Sequence, residues 1–200
     1  MPGDYPTGPI ASHRTATGLI LAGGRGRRMG NVDKGLVNWE GRPLVEHVIE
    51  RFKPQVGRLL VSCNRNASTY RRYTNDVIGD RLPDYQGPLA GIASALELLE
   101  TPLLAVAPCD TPQLPRDLVK RLRLALERSP GAGVSYASHG GKRHYLCAVL
   151  RREALASLDA YLATGGRAAR EWYGTIGAVE LAFEGTNDSF LNINAISTEP

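Results

Sequence analysis

The sequence lacks any apolar run long enough to cross a membrane. A membrane-spanning helix needs roughly 18 consecutive apolar residues, whereas the longest runs here, such as residues 103–107, are the size of a strand. The first 17 residues hold five prolines and glycines and no continuous apolar stretch of the kind a secretory signal needs. We expect no membrane partner, a disordered tail over residues 1–17 and a single domain over residues 18–200.

Cysteine is scarce and unpaired. The chain has 3 cysteines, which is an odd number, and they lie far apart without a CxxC pair. This pattern argues against a disulfide framework and against a structural zinc site. It is typical of a reducing compartment, so we expect a cytoplasmic protein.

Aromatic residues make up 6% of the chain, and the net charge is only +4. Sheet surfaces that bind RNA carry interleaved aromatic side chains, and a duplex footprint needs a spread-out basic face. Here the basic residues crowd into one glycine-rich stretch with Arg25, Arg27, Arg28 and Lys34. This distribution favours the phosphates of a small molecule, and we expect no nucleic-acid partner.

What the sequence does contain is an alternation of β-favouring runs with amphipathic segments. Such alternation predicts an α/β fold with a largely parallel sheet and helices on both faces. The predicted strands are residues 17–21, 36–39, 58–63, 76–78, 103–107, 133–137, 145–150 and 178–183. The predicted helices start at Pro43 and Pro115 and span residues 68–73, 89–99, 153–162 and 167–173. Ligands bind beyond the carboxyl ends of parallel strands, which is where the polar clusters of this sequence lie.

The first strand runs into a glycine-rich loop with the sequence LAGGRGRRMG over residues 21–30. Glycines let backbone N–H groups approach phosphate oxygens closely. No GKS or GKT follows, so the loop is not a Walker A motif, and its glycine spacing does not fit the dinucleotide fingerprint. Its cations would compensate the charge of a triphosphate, and Lys34 is placed to reach back over the loop.

These residues resemble the nucleotidyltransferases that activate sugars, polyols and cofactors. Within that superfamily, an ordered set of motifs resembles the molybdenum cofactor guanylyltransferases. The motifs are VDKGL at 32–36, CNRN at 63–66, GPLAGI at 87–92, PCDTP at 108–112 and NIN at 192–194. The resemblance implies a three-layer Rossmann-like nucleotidyltransferase fold. It also implies transfer of GMP from GTP to the phosphate of the molybdopterin cofactor, with release of pyrophosphate.

The resemblance also implies roles for individual residues. The catalytic residues that it implies are Lys34, Arg28 and Asp110. Its nucleotide-binding residues would be Leu21, Ala22, Gly23, Gly24, Lys34, Asn64, Asp80 and Asp110. Asp110 would bind Mg²⁺, with Mn²⁺ as an alternative ion, and the pterin side would comprise Gly87, Gly91, Asn192 and Asn194. The implied partners are GTP, the molybdopterin cofactor, and molybdoenzyme chaperones or other proteins of cofactor biosynthesis.

Elementary chemistry supports several of these roles. Attack at an α-phosphorus needs positioning and charge stabilisation rather than a covalent nucleophile. Magnesium takes one or two carboxylates from a protein, and Asp110 directly follows a buried strand. The competing interpretation of Asp110 is a turn residue before a helix. A carboxylate such as Asp80 could accept the two adjacent donors of guanine, although a contact with the ribose and a simple turn cap remain alternatives.

A second basic loop contains His139, Lys142, Arg143 and His144, and it would suit a phosphate-bearing pterin. The resembled family often has His-Pro here, whereas this chain has His144-Tyr145, so a direct role for His144 is not implied. Two alternative functions stay open. One is a cytidylyltransferase acting on the pterin cofactor or a polyol phosphate, and the other is a GTP-binding regulatory module without turnover.

Overall fold

The structure is a computed structural model, and it describes residues 15–24, 32–80, 87–184 and 189–193. Most of the predicted N-terminal tail, together with Arg28 and Asn194, lies outside the described residues.

Seven strands form one sheet in the order β5-β4-β1-β6-β8-β7-β9. All neighbouring pairs are parallel except those made by β8, which runs antiparallel to both β6 and β7. This largely parallel sheet confirms the predicted fold class. The sheet strands are β1 (Ala16–Leu21), β4 (Arg58–Ser62), β5 (Val77–Ile78), β6 (Leu103–Pro108), β7 (Val134–His139), β8 (Lys142–Arg151) and β9 (Ala178–Ala182). A separate two-stranded hairpin joins β2 (Asn38–Trp39) to β3 (Arg42–Pro43).

Helices cover both faces of the sheet. They are α1 (Leu44–Phe52), α2 (Ala67–Tyr70), α3 (Pro88–Ala95), α4 (Leu118–Glu127), α5 (Leu158–Ala163) and α6 (Ala169–Ile176). One buried cluster contains side chains of α1, α2 and α4, and a second contains side chains of α3, α5 and α6. Along β1 the side chains alternate between the two clusters, because Ile20 lies in the first and Leu19 and Leu21 in the second. The three predicted layers are therefore present.

Several predicted boundaries were wrong. Residues 34–36 form a 3-10 turn, so the strand predicted over 36–39 is reduced to Asn38–Trp39. Pro43 precedes α1 as its N-cap, and the helix predicted to open at Pro115 begins at Leu118. Residues 152–157 are 3-10 rather than α-helical, and β8 begins three residues earlier than predicted, at Lys142. Apolar periodicity locates the buried face of an element better than its ends.

The antiparallel direction of β8 matters for the site. Its N-terminal residues lie at the same edge of the sheet as the carboxyl ends of β1, β4 and β6. At that edge the pairing with β7 shifts, because Tyr136 pairs with Ala148 whereas the next residue, Ala137, pairs with His144. Residues 145–147 of β8 lie between these two pairs without a register partner on β7, and they form a β-bulge.

Within the described part of the chain, no helix combines the length and apolar character needed to span a bilayer.

Candidate active site

A cavity of about 720 Å³ opens at the carboxyl edge of the sheet. Its volume is in the usual range for small-molecule sites, roughly 300–1,000 Å³. Ten of the predicted site residues line it, and we list them in chain order: Leu21, Ala22, Gly23, Gly24, Lys34, Asp80, Gly87, Gly91, Asp110 and Asn192. The structure therefore brings together residues that are far apart in sequence, as expected for the ends of parallel strands.

Backbone hydrogen bonds hold the floor of the cavity. The Ala22 N–H donates to the Ser62 carbonyl at 2.7 Å, and the Cys109 N–H donates to the Leu21 carbonyl at 3.1 Å. These bonds extend the pairing of β1 with β4 and β6 past the ends of the strands. The loop that begins at Gly23 is thereby fixed in direction where it leaves the sheet.

Lys34 and Asp110 form an ion pair, with 3.3 Å between Nζ and Oδ2. The 3-10 turn that carries Lys34 is held by the preceding residue: Asp33 Oδ1 accepts from the Gly35 N–H at 3.2 Å and from the Tyr70 hydroxyl at 2.7 Å. Tyr70 is fully buried. Asp33 therefore acts on the site by positioning Lys34, and it explains the Asp-Lys pair in the sequence.

Asp110 has an oxygen that no described residue satisfies. Asp110 is 8% exposed, and its Oδ1 is buried without a hydrogen-bond partner among the described residues. The same holds for Oδ1 of Asn192. The Ile193 N–H donates to the Asp110 carbonyl at 2.9 Å, so the segment carrying Asn192 is tied to the Asp110 turn. Buried polar atoms are normally paired, so these two oxygens indicate a missing ligand.

The chemistry of these oxygens fits a hard divalent cation. Across residues 15–24, 32–80, 87–184 and 189–193, no group of three or more His, Cys, Asp or Glu side chains could hold a metal. A complete protein cage is therefore not found there. One carboxylate with the remaining positions left to water and phosphate oxygens is the usual arrangement for magnesium.

Asp80 is held by two neighbours at the end of β5. Asn64 Nδ2 donates to Asp80 Oδ2 at 2.6 Å, and the Ser62 hydroxyl donates to Asp80 Oδ1 at 3.4 Å. Burial raises the pKa of Asp80 above its ordinary value, and the hydrogen bonds from Asn64 and Ser62 oppose that rise. Asn64 is not part of the cavity wall itself, so the structure places it as the residue that orients Asp80.

The two predicted pterin-side glycines occupy different settings. Gly87 precedes α3 with φ +90°, a conformation that favours glycine. A Cβ at Gly91 would lie 2.7 Å from the Ser62 hydroxyl and 2.9 Å from Leu21 Cδ2. Gly91 therefore lets α3 pack closely on the ends of β1 and β4, which is the side of the cavity that holds Asp80.

Part of the cavity wall was not predicted from the sequence. Tyr145, Leu146 and Cys147, the three residues of the β8 bulge, all line the cavity, as do Ser62 and Thr111. Lys142, Arg143 and His144 of the second basic loop line it too. Ser62 and Thr111 carried a usable signal, because Ser62 is a polar residue at the end of an apolar run and Thr111 belongs to the polar turn that follows β6. Nothing in the sequence indicated the bulge.

The cysteines are small core residues. All three are free and buried, and Cys63 lies immediately after β4. Burial raises the pKa of Cys63 to about 11 and raises the pKa of Cys109 and of Cys147 as well. None of them is a thiolate at neutral pH, so none is suited to nucleophilic catalysis.

A lysine, a metal-competent carboxylate and a glycine-rich turn in one cavity of an α/β sheet define a nucleotidyltransferase. Residues 18–179 match the model of the MobA-like NTP transferase domain family. A molybdenum cofactor guanylyltransferase of Shewanella putrefaciens is 39% identical over 178 residues, which cover 89% of this chain and 91% of that protein. The protein of that name from Bordetella petrii is 44% identical over 171 residues, covering 84% and 87%. The chain belongs to the MobA-like NTP transferase family, in its molybdenum cofactor guanylyltransferase branch.

Solved structures share the fold. The molybdopterin-guanine dinucleotide biosynthesis protein A of Archaeoglobus fulgidus superposes with a TM-score of 0.67 at 22% identity, covering 83% of each chain. The Rv0371c protein of Mycobacterium tuberculosis, solved in complex with manganese, gives 0.59 at 18% identity over 86% and 90%. A 4-diphosphocytidyl-2C-methyl-D-erythritol synthase of Anaerococcus prevotii gives 0.72 at 8% identity, covering 92% of each chain. These three comparisons show the fold, while the names of the sequence relatives favour guanylyl over cytidylyl transfer.

Proposed function

We propose that this chain transfers GMP from GTP to the phosphate of the molybdopterin cofactor and releases pyrophosphate. The observation that carries the proposal is the Lys34–Asp110 pair, 3.3 Å apart, beside a buried carboxylate oxygen without a partner among the described residues. The pair lies between Asp80 and the wall formed by β8. The names of the relatives supply the donor and the acceptor.

The reaction needs no covalent intermediate on the protein. An oxygen of the acceptor phosphate attacks the α-phosphorus of GTP, the bond from that phosphorus to the bridging oxygen breaks, and pyrophosphate leaves with the electron pair. Lys34 stabilises the negative charge that develops on the phosphate oxygens. When GTP enters, the Lys34 ammonium exchanges its contact with Asp110 for one with phosphate, which leaves the carboxylate to a cation.

Asp110 and Asn192 are the residues that would hold Mg²⁺, with Mn²⁺ as the alternative ion. The cation supplies charge neutralisation to the α- and β-phosphate oxygens when it is bound. Arg28 and Asn194 belong to the proposal through the family resemblance, and Leu21, Ala22, Gly23 and Gly24 would wrap the nucleotide. Gly87 and Gly91 belong to the proposal as the pterin-side glycines that the family resemblance implies.

Asp80 is the residue that we expect to recognise the guanine base. Its carboxylate can accept from guanine N1–H and from the exocyclic amino group, and a base that lacks these donors leaves the carboxylate unpaired. The ribose contact is the competing role. Inosine triphosphate lacks the amino group and deoxy-GTP lacks the 2′-hydroxyl, so comparing their KM values with that of GTP separates the two roles.

The proposal also covers the cellular compartment and the proteins that receive the product. Three free, buried cysteines support a reducing compartment, in agreement with the cytoplasm. The product would pass to molybdoenzyme chaperones or other proteins of cofactor biosynthesis.

The proposal is tested by measuring pyrophosphate release with each of the four nucleoside triphosphates, with and without molybdopterin. We expect release with GTP only, and only when molybdopterin and a divalent cation are present. Release with CTP would support the cytidylyltransferase alternative. GTP binding without release would indicate a regulatory module, and either result would overturn the proposal.

A further inference from the structure

Residues that line the cavity lie on both sides of the Lys34–Asp110 pair. The cavity runs along the sheet edge from β4 across β1 and β6 to β8. Three strand spacings make this span about 14 Å. The Lys34–Asp110 pair lies near the middle, at the ends of β1 and β6. A nucleotide bound toward Asp80 leaves the β8 side for the second substrate.

The β8 side is built by the bulge. Bulges re-aim side chains and are common beside active sites. The bulge consists of three residues that are not register-paired with any residue of β7 and that all line the cavity: Tyr145, Leu146 and Cys147. The buried end of the bulge shares the cavity with the transfer centre, because Cys147 and Asp110 both line it. Tyr145, at the other end, is half-buried.

Tyr145 is supported by other aromatic residues. Its ring centroid lies 4.9 Å from that of Tyr136 and 6.2 Å from that of Tyr173. The buried Tyr173 hydroxyl donates to the Tyr145 carbonyl at 2.9 Å. These contacts fix the residue on both its ring and its backbone, so little conformational entropy is lost when a ligand packs against it.

A cation, the guanidinium of Arg143, is held beside the aromatic residues that contact Tyr145. Arg143 Nε donates to Glu180 Oε2 at 2.7 Å, and the Tyr136 hydroxyl donates to the same oxygen at 3.2 Å. Arg143 and Lys142 are exposed and line the mouth of the cavity. Glu180 balances the charge of Arg143, so Lys142 supplies the net positive charge at this mouth, which favours a ligand that carries a phosphate monoester.

We propose that the bulge of β8 is the acceptor subsite, with Tyr145 packing against the conjugated ring of the pterin. This inference rests on the proposed function and adds the residue that recognises the acceptor. A pterin has a planar conjugated ring, and such a ring stacks favourably on an aromatic side chain. The acceptor phosphate would then point along the bulge toward Asp110. Lys142 attracts the anion without contacting the reacting phosphorus.

The test compares steady-state constants for Tyr145→Ala, Tyr145→Leu and Tyr145→Phe. We expect Tyr145→Ala and Tyr145→Leu to raise the KM for molybdopterin about tenfold or more, while the KM for GTP changes by less than about twofold. Tyr145→Phe keeps the ring and should restore most of the affinity. Tyr161→Ala changes a tyrosine of α5 outside the cavity wall and serves as the matched control, with neither KM altered.

A binding measurement keeps this inference separate from the proposed function. Calorimetric titration of molybdopterin into the intact chain, with and without a non-hydrolysable GTP analogue, needs no turnover. Weaker binding to both Tyr145→Ala and Tyr145→Leu than to the wild type supports the subsite even if no pyrophosphate is released. Equal binding by wild type and variants, no binding by the wild type, or equal increases in both KM values would overturn it. If Tyr145→Ala does not fold, Tyr145→Leu decides the outcome.

Discussion

Asn64 binds Asp80 from two directions. Its Nδ2 donates to Asp80 Oδ2 at 2.6 Å, and its Oδ1 accepts from the Asp80 backbone N–H at 2.9 Å. The amide therefore fixes both the side chain and the main chain of the residue that follows β5. A carboxylate that is half-buried and held in this way is ready to accept donors from a ligand without reorganising.

The raised pKa of Asp80 gives a pH-dependent stability prediction. Burial lifts this pKa above its ordinary value of 3.8, so the folded chain binds the proton more tightly than the unfolded chain. The contribution of Asp80 to stability is therefore highest at low pH and falls as pH rises from the ordinary value through the raised pKa. Asp80→Asn keeps the hydrogen-bonding shape without the charge. We expect the Tm of the variant to exceed that of the wild type at neutral pH.

Thermal unfolding of both proteins across the acidic range checks this prediction. The difference in Tm should shrink toward zero below about pH 4, where the carboxyl is protonated in both states. A difference that is constant across the pH range would show that the ionisation of Asp80 does not contribute. The same variant should lose its preference for GTP over ATP.

Asp110→Asn separates a metal ligand from a turn residue. The substitution keeps volume and hydrogen bonding but removes a full negative charge, so we expect turnover to fall by orders of magnitude and the Mg²⁺ requirement to rise. Without metal, GTP should bind as well as before or more tightly, because the carboxylate repels the triphosphate and occupies Lys34. Calorimetry with a metal chelator and turnover across a Mg²⁺ titration measure the two effects. Wild-type turnover at wild-type Mg²⁺ would rule out Asp110 as the ligand.

Lys34→Ala should reduce turnover by about 100-fold or more, the usual effect of losing one charge-stabilising donor. The fold should persist, since the Lys34 side chain is 31% exposed and its turn is held by Asp33. Lys120→Ala, which removes an exposed lysine of α4, is the control for net charge. Circular dichroism and pyrophosphate release are measured on both. A Lys34→Ala enzyme with turnover near that of the control would contradict the assignment.

Gly91→Ala tests the close packing of α3 on the sheet. The added Cβ would lie 2.7 Å from the Ser62 hydroxyl, so the helix or the strand ends must shift. We expect a loss of about 1–3 kcal/mol in the free energy of unfolding. Gly174→Ala is the matched control, because this glycine of α6 has open space around its Cβ position. That change should stabilise the chain by about 0.4–1 kcal/mol. Denaturant unfolding measures both, and a neutral Gly91→Ala would show that α3 is free to adjust.

The half of the site built on parallel strands could be predicted from the sequence. Asp80 and Asp110 lie just beyond apolar strands, Lys34 follows the glycine-rich loop that leaves β1, and the carboxyl ends of parallel strands meet at one edge. The wall on β8 could not be predicted in this way. The apolar run in residues 145–150 indicates a strand but not its direction, and a bulge depends on the register with β7. Asn64 was predicted as a nucleotide-binding residue, but its contact with Asp80 was not predicted, because that contact depends on the spacing of two loops.

The antiparallel pairing of β6 with β8 separates two parts of the sheet. The strands on the β6 side come earlier in the chain, and those on the β8 side come later. Residues up to Thr111 supply the nucleotide side, and residues from Lys142 onward supply the opposite wall. Within the sheet the two parts meet through four residue pairs, from Leu103 with Arg151 to Val106 with Ala148. Exchanging the later stretch would leave the strand pairings within the first intact and would replace one partner in each of these four pairs. Chimeras joined in the segment before β7 would combine the donor preference of one relative with the acceptor preference of another.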